Sequence, residues 1–183
     1  MTTETLLTLE EFLRMPEIEE RRLELIDGEV SEKAARRWGD GALVGELGSA
    51  LHSFGFVGLA PRAIIPEAPS RGPSAPIPDL ALYKHKTNRP KSDEWMTAPP
   101  DLVVELLSIG QSRTEMRAKA SIYLGFGVPC VWIFDLERQT VDVYESGARR
   151  TLTAADTLFC DTQPGVAERI GELLARAGFE LEE

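Results

Sequence analysis

Residues 101–108 read Asp-Leu-Val-Val-Glu-Leu-Leu-Ser, and the acid set among their five aliphatic side chains constrains the fold more than any other feature of the chain. A short apolar run of this kind fits a central strand covered on both faces. Glu105 then points into the layer between sheet and helix, or into a cleft. An unpaired carboxylate is costly there, so a lysine, an arginine or a metal ion must meet it. A structural ion pair and a ligand carboxylate answer that demand equally well.

The remaining pattern surrounds this strand with further elements. Thr8 and Glu11 form a capping-box pair at the start of a short stripe, Leu9, Phe12 and Leu13, which Pro16 ends. Residues 22–33 predict a hairpin turning at Asp27-Gly28. Residues 34–41, with Trp38 and Gly39, predict a loop. Asp40 is expected to cap a helix over about 41–54, where Leu43, Leu47, Leu51 and Phe54 repeat at helical spacing before Gly55. A strand is expected near 56–65, a proline- and glycine-rich loop at 66–78 and a strand at 79–83. The polar, proline-bounded insertion 84–100 is long for a compact domain. A helix at 113–126, a buried strand at 131–134 and an alternating strand at 140–145 follow. Residues 151–163 carry no clear pattern. An amphipathic helix at about 166–177 offers Val166, Ile170, Leu173 and Leu174 to the core or to an interface. The order predicts one mixed α/β domain over residues 1–183, a central sheet flanked by helices. It divides into an N-terminal helix and hairpin (1–40), a core (41–145) and a C-terminal addition (146–183).

Charge argues two ways. The formal net charge of -10 weighs against a generic nucleic-acid binder. The excess is terminal, however: residues 1–32 carry -7 and residues 151–183 carry -5, while residues 33–150 carry +2. Basic clusters fall at Lys33, Arg36 and Arg37, at Lys84, Lys86, Arg89 and Lys91, and at Arg113, Arg117 and Lys119. Each reads as solvated surface unless a site lies beside it. Cys130 and Cys160 sit in apolar surroundings without a spaced partner, and are expected to form neither a disulfide framework nor a zinc site. With no basic, apolar leader at residues 1–14, the expected compartment is the reducing cytoplasm. No apolar stretch approaches the ~20 residues of a membrane span.

Two more residues break their local pattern. Asp79 follows Pro78 at the start of a strand; it is a turn residue or a ligand. Lys119 lies on the apolar side of its helix: with Met116 at 0°, it falls near 300°, between Tyr123 at about 340° and Phe126 at about 280°. It either snorkels outward or reaches a buried acid. Glu115, one turn earlier, lies at the edge of that arc. Two carboxylates on adjacent strands can hold one hard divalent cation, which acidifies water and neutralises phosphoryl charge. A neighbouring lysine can orient the attacking water or stabilise charge on the phosphate. This is phosphodiester-hydrolysis chemistry.

The order Asp79, Glu105, then a helical lysine resembles the PD-(D/E)xK nuclease superfamily, with Pro78-Asp79 as its first element. Within it, the chain is similar to the Uma-two-type restriction-endonuclease family, a domain of unknown function. The likeness runs from about Leu9 to Glu145. It rests on Leu23-Glu24-Leu25-Ile26-Asp27-Gly28-Glu29, on Ile77-Pro78-Asp79-Leu80, on the strand around Glu105, on Lys119 with Tyr123 and Gly127-Val128-Pro129, and on Trp132-Ile133-Phe134-Asp135. The superfamily lysine usually stands two residues after the second acid, where this chain has Leu107; the resemblance implies that Lys119 replaces it. It implies a restriction-endonuclease-like fold, Asp79 and Glu105 as ligands of Mg²⁺ or Mn²⁺, Asp79, Glu105 and Lys119 as the catalytic set, DNA as substrate and a homodimer. Glu24, Glu46 and Glu115 are accessory candidates. Lys84, Lys86, Arg89, Lys91 and Arg113 are candidate phosphate contacts. The alternative is a catalytically inactive binding or assembly module that keeps the fold.

Overall fold

The computed structural model describes residues 6–66, 72–108, 110–145, 147–163 and 165–181, so residues 67–71 of the expected loop lie outside it. Helix α1 (Leu9–Leu13) opens on the expected capping box, with Thr8 and Glu11 bonded reciprocally, and buries Phe12. Strands β1 (Leu23–Ile26) and β2 (Glu29–Glu32) form an antiparallel hairpin. Its two turn residues take left-handed backbone, φ 52° at Asp27 and 84° at Gly28. Gly28 is required twice over, because a Cβ there would lie 2.9 Å from that of Leu6.

Helix α2 (Trp38–His52) starts within the stretch expected to be loop. Asp40 caps it from inside, its carboxylate accepting the Arg37 N–H at 2.9 Å. Strand β3 (Phe56–Leu59) is shorter than expected. Ala60 takes φ 49°, and the chain then leaves the sheet, pairing outside it through the single bridges Ala63–Met96 and Ile65–Ser74. Strands β4 (Leu80–Tyr83) and β5 (Leu102–Leu106) are buried throughout. Helix α3 (Arg113–Phe126) has the predicted bounds, from a Ser112–Glu115 capping box to a left-handed Gly127. Strands β6 (Cys130–Asp135), β7 (Thr140–Glu145), β8 (Ala148–Thr153), β9 (Thr157–Phe159) and β10 (Ala167–Arg169) follow. The expected C-terminal helix is confined to α4 (Ile170–Arg176), because its first residues pair as β10 with β9.

Six strands make the central sheet in the order β3-β4-β5-β6-β7-β8. Only β5 and β6 run parallel, joined by the α3 crossover. The alternation of β5 sorts its side chains between two layers. Leu102, Val104 and Leu106 face α2 and α4 in the larger core cluster, which also takes in Val166, Ile170, Leu173 and Leu174. Those four are therefore core, not interface. Val103 faces the opposite layer, where α3 packs with Met116, Ala120 and Tyr123. The α1 segment and the hairpin form a separate apolar cluster, in which Phe12, Leu23 and Leu25 pack with Ile18, Ile64 and Ala75. Among the described residues, no helix is long and apolar enough to cross a membrane.

The expectation for the cysteines is overturned. Cys130 and Cys160 are joined in a disulfide across 30 residues, tying the central strand β6 to the segment after β9. The spacing carried no sign of it, because the partners meet only when the C-terminal addition folds back over the sheet. Loop closure over this length is worth about 3–4 kcal/mol. Reduction, or the paired substitution of both cysteines by serine, is expected to lower the unfolding free energy by about that amount, read from urea denaturation with and without reductant.

Candidate active site

The alternation that sends Val103 toward α3 sends Glu105 the same way, into the layer between sheet and helix. The antiparallel register of β4 on β5 pairs Leu80 with Val104, so one step further sets Asp79 beside Glu105. Asp79 is held there by its backbone: its N–H donates to the Val104 carbonyl at 3.0 Å, and its Oδ2 accepts the Leu106 N–H at 2.7 Å. The two acids, twenty-six residues apart, thus share one end and one face of the sheet.

Lys119, on the inward stripe of α3, reaches the same place. Its Nζ donates to Glu24 Oε1 and Oε2 at 2.9 and 2.8 Å and lies 3.5 Å from Glu105 Oε1. One turn on, the Tyr123 hydroxyl donates to Glu105 Oε1 at 2.7 Å. Burial, reinforced by the Glu105 and Glu24 carboxylates, raises the Tyr123 pKa far above its ordinary value, which keeps it a donor. Glu24 comes from β1. Its Oε1 also accepts the Ile77 N–H at 2.7 Å, pinning the strand entry that carries Pro78 and Asp79.

Two basic residues that read as solvated surface complete the cluster. Lys33, just past β2, is buried, with Nζ 2.9 Å from Asp79 Oδ1 and 2.8 Å from Glu105 Oε2. Burial works against its ammonium, but Glu105, Asp79 and Glu24 together outweigh that and raise its pKa above the ordinary lysine value. Arg36 donates to Asp79 Oδ1 as well. Burial would raise the Asp79 pKa, yet Lys33 and Arg36 hold it below the usual carboxylate value. Three carboxylates therefore face three cations. Nothing in the local pattern marks Lys33 or Arg36, since a charged residue is ordinary at a hairpin end.

The other candidates lie elsewhere. Glu46 is on α2, across the sheet from Glu105, and pairs with Arg176 of α4 at 3.0 Å; it is not part of the cluster. Glu115 is exposed and spent on the α3 capping box, although it lines the groove above Glu24 and Lys119. Lys84 follows the far end of β4, about 17 Å of strand from Asp79. Arg89 stacks on Phe56 and Lys91 pairs with Glu94, so this segment does not border the cluster. Lys86 is exposed in the same loop. Arg113, at the start of α3, pairs with Asp135 at the end of β6 and stays on the cluster's side of the sheet.

Two grooves flank the loop that carries Gly110 and Gln111. One, of about 420 Å³, reaches Glu24 and Lys119 between walls bearing Glu29, Glu32 and Glu115. The other, of about 550 Å³, lies past the ends of β5 and β6 and is lined by Arg37, Asp40, Ser108 and Asp135. The acids of the first wall favour entry of a cation.

Breaking a buried ion pair by removing one partner strands the other charge. Glu24→Gln is expected to cost about 3 kcal/mol or more by urea denaturation, and adding Lys119→Met should recover part of that loss.

Comparison with known proteins gives the family and the fold. The family described as "Uma2: Putative restriction endonuclease" matches residues 9–177. A crystal structure described as a "putative nuclease belonging to DUF820", from Anabaena variabilis, has the same fold, with a TM-score of 0.78 and 23% identity, covering 93% of this chain and 99% of that one. No curated protein matches the sequence.

Proposed function

Since the chain belongs to the Uma2 family of restriction-endonuclease-like proteins, we propose that it hydrolyses DNA phosphodiester bonds with a divalent metal ion, Mg²⁺ or Mn²⁺, held by Asp79 and Glu105. The observation that carries this reading is the convergence of Asp79 Oδ1 and Glu105 Oε2 on one point, each within 2.9 Å of the Lys33 ammonium. Two hard oxygen donors aimed at a single cationic seat suit Mg²⁺ or Mn²⁺. An ion held there would acidify water and draw charge from a phosphodiester oxygen.

The chain's own residues supply the rest. Asp79 is kept ionised by its cationic neighbours and fixed by the Leu106 N–H. Tyr123 holds Glu105 by one oxygen and leaves the other to face the seat. Glu24 clamps Lys119 with both oxygens, so the ammonium stays beside Glu105, where it can orient a water or meet charge building on the phosphate. The acidic groove favours the metal ion, and Arg37 and Arg113 lie on the side from which a phosphate backbone can be held.

A second reading, a non-catalytic module, is favoured by one observation: the three acids are already matched by three buried or half-buried cations. Digestion of plasmid and oligonucleotide DNA separates the two. The wild type is expected to cut with Mg²⁺ or Mn²⁺ and to stop on chelation. Asp79→Ala, Glu105→Ala and Lys119→Ala should each lose at least about a hundredfold in rate. Equal cutting by all four proteins would overturn the assignment. A folded wild type that neither cuts nor binds the ions would leave the module.

A further inference from the structure

Lys33 has a place in this site that the motif does not assign to it. Its ammonium lies against Asp79 Oδ1 and Glu105 Oε2, the same two oxygens that a bridging divalent ion would use. Metal–oxygen bonds to such an ion are about 2.1 Å, shorter than these contacts, so the ion's seat and the ammonium's seat overlap. Two cations cannot share it. Arg36, three residues on, also spends its charge on Asp79 Oδ1, and its Nε is buried without a hydrogen-bond partner among the described residues.

Charge makes the consequence definite. The three acids, Glu24, Asp79 and Glu105, are balanced by Lys33, Arg36 and Lys119. Adding a divalent ion leaves two positive charges in excess, unless Lys33 and Arg36 let go of the acids. Both belong to the short connection between β2 and α2, so one movement of residues 33–37 releases them together. What they can then meet is an anion at the edge of the seat, and a phosphodiester is the anion that the proposed reaction brings there.

On the reading that the site is metal-dependent, we infer that Lys33 is an exchangeable counter-ion. Its ammonium fills the seat between Asp79 and Glu105 until a divalent cation enters, and then turns with Arg36 to the substrate phosphodiester. Metal and substrate binding are thereby coupled: the ion displaces the groups that the phosphate needs.

Two measurements test this without relying on cleavage. The first uses the wild type. Amine acetylation by an N-hydroxysuccinimide ester is followed by peptide mass spectrometry, with exposed Lys86 as internal reference. Saturating Mn²⁺ is expected to raise labelling of Lys33 about fivefold or more, because the ammonium passes from a buried pair to solvent. Unchanged labelling at saturating Mn²⁺ would overturn the inference. The second compares Lys33→Met with the wild type, using calorimetry with Mn²⁺ alone and fluorescence anisotropy with a non-cleavable phosphorothioate oligonucleotide in saturating Mn²⁺. Removing the competitor should tighten Mn²⁺ binding about tenfold and weaken oligonucleotide binding by a similar factor. A lysine with only a structural role would weaken both. Mn²⁺ affinity equal to or below that of the wild type would overturn the counter-ion role. Tighter Mn²⁺ with unchanged oligonucleotide affinity would overturn the hand-over to phosphate. Mn²⁺ binding by neither folded protein would overturn this inference together with the metal-dependent reading, a pattern distinct from the other two.

Discussion

Three carboxylates buried on one face of a sheet must each find a positive partner, and much of the molecule is arranged around that demand. The partners come from two places: Lys33 and Arg36 from the connection between β2 and α2, and Lys119 from the crossover helix. Glu24 reaches in from β1 in return. The N-terminal hairpin is therefore fastened to the sheet by ion pairs, while Leu23 and Leu25 pack it against Phe12, Ile64 and Ala75. Apolar side chains of similar volume could hold these elements together about as well. On the proposed reading, what an ionic set adds is that its members could be exchanged for a metal ion or a phosphate without repacking the core.

The site follows from three simple features of the backbone. Strand alternation turns Val103 and Glu105 away from the larger core cluster. Antiparallel pairing of β4 with β5 brings the start of one to the end of the other, setting Asp79 beside Glu105. The parallel step from β5 to β6 requires a crossover, and α3 supplies it while laying Lys119 and Tyr123 over the same face. None of these features serves the site alone. Together they place four candidate side chains at one end of the parallel pair of strands in the central sheet, where open α/β sheets commonly bind ligands.

The residues that could be picked out from the chain were those that disobeyed their surroundings. Glu105 interrupts an aliphatic strand, and Lys119 sits on the apolar side of an amphipathic helix. The cluster contains both. Lys33 and Arg36 could not be picked out, because a charge at a hairpin end obeys every local rule; only the fold reveals that this end is covered. Glu46 and Glu115 show that a promising position does not bring a side chain into the cluster. Each lies on a suitable helix, but one faces across the sheet toward Arg176 and the other is held in a helix cap. The start of α2 was missed because Asp40 acts from the third helical position, and the disulfide because thirty residues separate its halves.

Apolar spacing, turn residues and caps lie within a few residues of each other, so the chain alone settled the hairpin, the buried strands, the α3 helix and the presence of charge where charge is costly. Which cation answers which acid depends on strand register and on how elements far apart in sequence come to rest against one another. Long-range pairing has no local signature, and for that reason the partners of Glu24, Asp79 and Glu105 were decided only by the tertiary structure.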